Sequence, residues 1–267
     1  MDLAWAEHNR SGLCVVENGR VIDSAIAGDD DDVVRWVEHH AGDDVVVAFD
    51  APLIVRNRKG CRGCERVIAS VWGRAHASCH VANLGRPWFA KGGRAARLAR
   101  RLRLTTDPAA VAERPARVGV EVYPHTALVS LFHLPIILKY KAGRCRSEGM
   151  SKTRTVDDRR REFRRLLNCL LALSDRTPAL RVTTSAAWNR LASTVESAGT
   201  GATLDVVEDE LDAYVCAYVG LHFARHRGRR DCAVIGDTRR GYVVTPVDET
   251  RWVKVVEAGR KYDVAIA

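Results

Sequence analysis

Asp44-Val45-Val46-Val47-Ala48-Phe49-Asp50-Ala51-Pro52-Leu53 is the stretch on which the fold turns. Its unbroken apolar run, Val45 to Phe49, has the length of a strand and no polar alternation, so it predicts a strand buried on both faces. Pro52 brings no N–H and stops the ladder. Asp50 is thereby set at the carboxyl end of a buried strand, where open sheets containing parallel strands collect their ligands.

Working upstream, Asp29–Asp32 is an acidic run suited to the positive end of a helix dipole, and Val33, Val34, Trp36 and Val37 supply one apolar helical face. Before that, Ser11–Glu17 and Arg20–Ala27 are β-type runs joined by Asn18-Gly19, the favoured two-residue hairpin turn. Leu3–Trp5 reads as a short first strand. The order is β-β-β-α-β.

Downstream, residues 56–117 are irregular and basic, read as an insertion or long active-site loop holding one or two helices. Arg117–Tyr123 is a strand closed by Pro124, and Thr126–Leu134 a short helix. Arg144–Thr155 is a polar, mobile loop. Asp157–Leu173 is a basic amphipathic helix, and Leu204–Arg227 the last long helix. Cys232–Ile235 and Gly241–Pro246 form a closing hairpin over about 231–247, followed by a tail, 248–267. No repeat and no linker divides the chain, so one α/β domain over 1–267 is expected.

The 267 residues are 46% hydrophobic and 28% charged, which excludes a disordered chain. No apolar run is long enough to span a membrane. The start, MDLAWAEHNR, has neither the basic nor the apolar region of an export signal, so a cytoplasmic location is expected. Eight cysteines without such a signal are read as free thiols or a few metal ligands rather than a disulfide framework. The net charge of +9 leans toward a polyanionic partner.

The acids stand out by position. Asp2 opens the first strand, and Asp50 ends the buried one. Asp209 and Asp212 lie three apart in VVEDELDAYVCAY and share a helix face, as do Glu208 and Asp212, four apart. Apolar Leu211, Val215 and Val219 turn the same helix toward the sheet, where carboxylates are costly unless paired or bound to cations. Such a set can converge on one or two Mg²⁺ ions, hard cations that take oxygen ligands and clamp a phosphoryl displacement.

The motifs MDLAW, VAFDAPLIV, CERVIAS, CHVANLGRP, VEVYPH, LKYK, EDELDA and GDTRRGYVV, in that order, resemble the domain-of-unknown-function family four-twenty-nine, over Met1 to about Pro246. That resemblance implies a ribonuclease H-like mixed sheet, three antiparallel strands then parallel ones, flanked by helices, and a nuclease activity. It also implies metal ligation by Asp2, Asp50 and Asp212, with Asp209 assisting. The D-x-x-D-A run further resembles the last-helix signature of Holliday-junction resolvases. The family's first strand ordinarily extends several residues before its Asp-Leu-Ala-Trp; either the start codon is misassigned or the first strand is clipped here, and a frayed strand would place Asp2 poorly.

Glu65, beside Cys64 at the start of a helix, and Glu121, sharing a strand face with Tyr123, are read as further ligands or as partners for arginines. His80, in CHVANLGRP, is an acid/base or phosphate contact, and His125 follows Tyr123-Pro124 at a strand end. Cys61, Cys64, His76 and His80 have the outline of a Cys₂His₂ zinc site, against which a helix from Glu65 to Trp72 and the competing Cys79 weigh. Two basic clusters suit phosphate backbones: one holds Arg97 and Arg101, the other Arg160, Arg161 and Arg164, with Lys139 and Lys141 in a separate turn. These clusters have few aromatics to stack single strands.

The leading expectation is a Mg²⁺- or Mn²⁺-dependent nuclease using the clustered aspartates. The alternative is a non-catalytic nucleic-acid-binding or scaffold protein of the same fold. A sugar-kinase-like phosphotransferase ranks last, because no Gly-rich phosphate loop follows Asp2-Leu-Ala-Trp.

Overall fold

A computed structural model describes residues 1–6, 9–90, 92–113, 115–147, 150–226 and 231–267, with the side chains of 144–147 and 150–152 left aside. The hairpin of β1 (Ser11–Glu17) and β2 (Arg20–Ala27) turns at Asn18-Gly19, whose φ values of 51° and 73° are those a tight hairpin turn requires. Helix α1 (Asp30–His40) starts where the acidic run predicts: Asp29 caps it, its carboxylate accepting the Asp32 N–H at 2.8 Å. Strand β3 (Val45–Phe49) follows, and then two helices, α2 (Gly63–Trp72) and α3 (Arg94–Arg101). Strand β4 (Arg117–Glu121) runs parallel to β3, with Phe49 opposite Glu121.

Helix α4 (Pro124–Leu131) has proline in its first turn, where a missing N–H costs nothing. Where a mobile loop is expected, β5 (Arg144–Ser147) and β6 (Met150–Thr153) pair in a short antiparallel ladder, Glu148 and Gly149 lying outside the described residues. Helix α5 (Val156–Ala172) carries a capping box between Thr155 and Asp158. Then come α6 (Ala186–Ser197), α7 (Gly201–His226), the hairpin β7 (Cys232–Asp237) with β8 (Gly241–Pro246), and α8 (Glu249–Tyr262). Arg227, the expected end of the last long helix, lies outside the described residues.

The chain is mixed α/β, but its strands pair two by two rather than as one expected sheet of antiparallel then parallel strands. Leu3–Trp5 is not a strand. In its place Asp2 bridges to Gly12 of β1, both hydrogen bonds 2.9 Å, and on the other side Met1 is hydrogen-bonded along β3, the Asp50 N–H donating to its carbonyl at 3.0 Å and its amine to the Ala48 carbonyl at 2.6 Å. One pair per side is too short to count as a ladder, yet it sets residues 1–2 between β1 and β3. A further bridge, Val122 to Val244, links the end of β4 to β8.

Three apolar clusters hold these elements. Leu211, Tyr214, Val215, Val219 and Phe223 of α7 pack with Phe163 and Leu166 of α5 and with Trp188 and Leu191 of α6. Leu13, Val33, Val37 and Phe49 pack with Ala95, Leu98 and Leu102, so α3 sits against α1 and the strands. Cys64, Ile68 and Trp72 of α2 pack with Ile235, Val243 and Val255. Burying each large side chain stabilises by about 1.5–3 kcal/mol. The 56–117 segment holds two helices, within the one or two expected, and they close two of the clusters.

Helix α7 crosses the strands at close range. A Cβ on Gly12 would stand 1.8 Å from the Asp209 carbonyl oxygen, and one on Gly220 would stand 3.2 Å from the Ala48 Cβ. Glycine at 12 lets the backbone of α7 rest on β1 beside the Asp2 bridge. Among the described residues no helix is long and apolar enough to cross a membrane.

Candidate active site

Four aspartates converge at one end of β3. Asp50 leaves its carboxyl terminus, Asp2 is set beside it by the Met1 and Gly12 bridges, and Asp209 and Asp212 come from the face of α7 that rests on β1. Asp2 is thus well placed despite its short strand, contrary to the expectation. Asp50, Asp212 and Asp209 all bring negative charge to bear on Asp2, so the four carboxyls act on one another. Asp212 is fully buried, and Tyr140 O–H donates to its Oδ1 at 2.5 Å.

Lys141 is the cation of this cluster. Its Nζ stands 2.7 Å from Asp212 Oδ2 and 3.8 Å from Glu208 Oε1. Lys141 faces five carboxyls, of which Glu208 also pairs with Arg159 at 3.2 Å, and burial raises the acids because the charged form loses water. Asp2 is raised well above the usual carboxylate range, first by burial and then by its acidic neighbours, with Lys141 opposing. Burial likewise pushes Asp50 and Glu208 up to about 7, and raises Asp209. The acids hold Lys141 charged, outweighing the burial that favours its neutral form.

This donor set, all hard oxygens and short of positive charge, fits a hard divalent cation. Asp2, Asp50 and Asp212 do not bring three ligand oxygens within 4.8 Å of one another, so the acids must close in to share one ion.

Beside the acids lies a cleft of about 180 Å³ lined by Asp2, Trp5, Asp50, His80, Tyr123, His125 and Lys141. Sequence reasoning weighed His125, at a strand end, much as it weighed His80. Its Nδ1 is buried without a hydrogen-bond partner, and burial lowers its pKa to about 4, so it is neutral at physiological pH. Tyr140 and Glu208 entered the sequence reading with no site role or as a minor pairing, and Lys141 only as a phosphate contact. Nothing local marks a loop lysine as the partner of acids from three distant elements. His80 is exposed at the rim, its ring edge-on to Trp5 at 6.1 Å, and Trp5 meets Trp88 at 5.9 Å and Phe89 at 5.0 Å. Trp88 is 43% exposed, giving the cleft mouth an aromatic wall that the sequence reading did not find.

Glu65 and Glu121 do not act as ligands here. Arg62, itself buried, holds Glu121 in a two-pronged pair, Nη1 to Oε2 at 2.8 Å and Nη2 to Oε1 at 2.5 Å, and donates from Nε to Glu65 Oε1 at 2.7 Å. Backbone N–H groups of Leu53 and Ala82 fill the remaining acceptor sites. Both carboxylates are consumed by a buried guanidinium that ties α2 to β4 and to the loop after Asp50.

The zinc outline does not assemble: Cys61 is exposed and Cys64 buried, and Cys61, Cys64, His76 and His80 bring no three ligand atoms within 4.8 Å. The described cysteines, Cys14, Cys61, Cys64, Cys79, Cys169, Cys216 and Cys232, are all free thiols.

The basic clusters are less open than their sequence suggests. Arg160 and Arg161 pair with Asp157 and Asp158 one turn back on α5, at 2.8 and 2.7 Å, and Arg164 pairs with Glu196 of α6 at 2.6 Å. Arg101 pairs with Asp31 of α1 at 2.5 Å, and Arg97 donates to the Gly92 carbonyl. Lys139 is half-buried and is not part of the cleft lining, while Lys141 is.

No curated protein and no solved structure matches the chain. A family model described as "Protein of unknown function (DUF429)" matches residues 1–239, so the chain belongs to that family.

Proposed function

We propose that the protein is a divalent-metal-dependent nuclease with a ribonuclease H-like core, hydrolysing phosphodiester bonds in nucleic acid. The observation that carries this is the convergence of Asp2, Asp50, Asp209 and Asp212 on one undercompensated site beside a cleft. The placement of residues 1–2 between β1 and β3, with β4 parallel to β3, supports the fold reading.

Asp2, Asp50 and Asp212 would hold Mg²⁺ or Mn²⁺, with Asp209 beside them. Such an ion, when bound, lowers the pKa of a bound water and offsets charge on the phosphoryl oxygens. The chain supplies the rest. His125, neutral and with an unpartnered Nδ1, is suited to take up a proton within the cleft. Lys141 offers an ammonium to a phosphate oxygen, and Trp88 and Trp5 offer ring faces to bases at the mouth. The Arg161 and Arg164 pairs on α5 are exposed, and such pairs are worth only about 0–1 kcal/mol, so phosphates compete for these two, whereas Arg160 is half-buried and also donates to the Ala198 carbonyl.

The test is cleavage of DNA, RNA and branched substrates with Mg²⁺ or Mn²⁺. Wild type is expected to cut at least one class and Asp50→Asn to lose the activity by a factor of about 10² or more. No cleavage of any class, with Asp50→Asn indistinguishable from wild type, overturns it. The second reading, a non-catalytic nucleic-acid-binding or scaffold protein, is favoured by the Lys141–Asp212 pair, in which the chain supplies its own cation. That reading gives salt-sensitive binding without cleavage.

A further inference from the structure

A second cluster lies toward the other end of α7. His222 and His226 are four residues apart on one helix face, their rings stacked 4.5 Å apart at 22°. Asp231, just before β7, closes the group, and one ligand atom from each of the three residues lies within 4.8 Å of the others. Both histidines are 6% exposed. His222 Nδ1, His226 Nδ1 and Asp231 Oδ1 are buried and make no hydrogen bond.

The hydrogen-bond pattern of His226 carries the argument. Its Nε2 lies 2.9 Å from the Thr177 carbonyl oxygen, which only accepts, so Nε2 bears the proton. A neutral ring then presents the lone pair of Nδ1 to Asp231 Oδ2 at 2.6 Å. A lone pair against a carboxylate oxygen is repulsive unless a proton or a metal ion joins them. His222 Nδ1, stacked beside the His226 ring, is likewise buried with no hydrogen-bond partner. The Thr177 carbonyl plays the part that outer hydrogen bonds play around ligating histidines, fixing the tautomer and the ring plane.

We propose that His222, His226 and Asp231 form a site for a borderline divalent transition ion of the zinc class, separate from the aspartate cluster. Two imidazoles and a carboxylate suit such an ion, whereas Mg²⁺ prefers an all-oxygen shell. Ligand atoms around a tetrahedral zinc stand roughly 3.3 Å apart, so Asp231, whose side chain is 45% exposed, swings out slightly to admit the ion. The bound ion clips the last turn of α7 to the start of β7.

The experiment titrates Zn²⁺ into the chelator-stripped full chain against a chromogenic chelator, with Co²⁺ absorption reporting the ligand set. The chain carries Cys61→Ser to remove an exposed thiol and Asp50→Asn to remove the aspartate cluster from the reading. One equivalent of Zn²⁺ is expected, not displaced by excess Mg²⁺. His222→Gln and Asp231→Asn are each expected to weaken it by more than about 100-fold, beyond the 10–100-fold of an outer-shell change. Asp231→Asn, at a half-exposed position, keeps the test valid if His222→Gln fails to fold. Absence of a stoichiometric ion, or equal affinity in Asp231→Asn and its parent, overturns the proposal and leaves a proton joining His226 to Asp231.

Discussion

Replacing Asp50 by asparagine is expected to stabilise the metal-free protein, and only at neutral and alkaline pH. Burial, reinforced by the charge of Asp212 and opposed by Lys141, lifts the Asp50 carboxyl to about 7. The same group titrates at about 3.9 in an unfolded chain. An acid raised on folding binds more protons in the native state, so stability falls as pH rises. The cost is absent below about pH 4, grows between 4 and 7, and is complete above 7. At 1.36 kcal/mol per pH unit that interval is worth about 4 kcal/mol, and water reaching this half-buried group reduces it to about 2 kcal/mol. Asparagine keeps the shape and cannot ionise. Urea unfolding in chelator should show Asp50→Asn about 2 kcal/mol more stable than wild type at pH 8 and equal to it near pH 4. Saturating Mg²⁺ should stabilise wild type alone and close the gap. A variant less stable than wild type at pH 8, or equally stabilised at both pH values, refutes the reasoning.

Arg62→Met leaves Glu65 and Glu121 buried without their guanidinium and should cost about 3–5 kcal/mol at pH 7. The loss should shrink in acid as Glu121 takes up a proton; urea midpoints across pH check both. Gly12→Ala places a methyl against the Asp209 carbonyl and should cost at least about 1–3 kcal/mol. It should also displace Asp209 and Asp212 from Asp2, so metal-dependent cleavage falls further than the stability loss alone explains.

What could be read from the sequence follows contact range. Asp50 was legible because an apolar run and a proline define its strand end locally, and the shared face of Asp209 and Asp212 follows from helical period. The Asn18-Gly19 hairpin and the Asp29 cap are equally local. For Glu65 and Glu121 the sequence left ligand and arginine partner both open, and the structure shows the arginine partner; which arginine it is could not be read, because Arg62 meets Glu121 only through tertiary packing. Lys141 reaches the site by the path of the chain between α4 and α5, which no local pattern encodes, whereas His125 is carried there by the first turn of α4. Helices α6 and α8 went unread, their apolar faces being interrupted by polar and small residues. In the arginine stripe, Asp157 and Asp158 were legible as balancing acids one turn from Arg160 and Arg161, whereas Glu196, which takes Arg164, comes from another helix and was not.

The aspartate cluster draws on residues 2, 50, 141 and 212, and the bare backbone of Gly12 is what brings the last of these to the first. No fragment of the chain contains the site in miniature. During synthesis at about 5–20 residues per second, β1, β3 and the cleft wall emerge well before α7. Closing α7 onto β1 also carries the loop entropy of nearly the whole chain, a non-local step of the kind that slows folding. The site therefore comes together late, in a chain whose helix α7 has already docked.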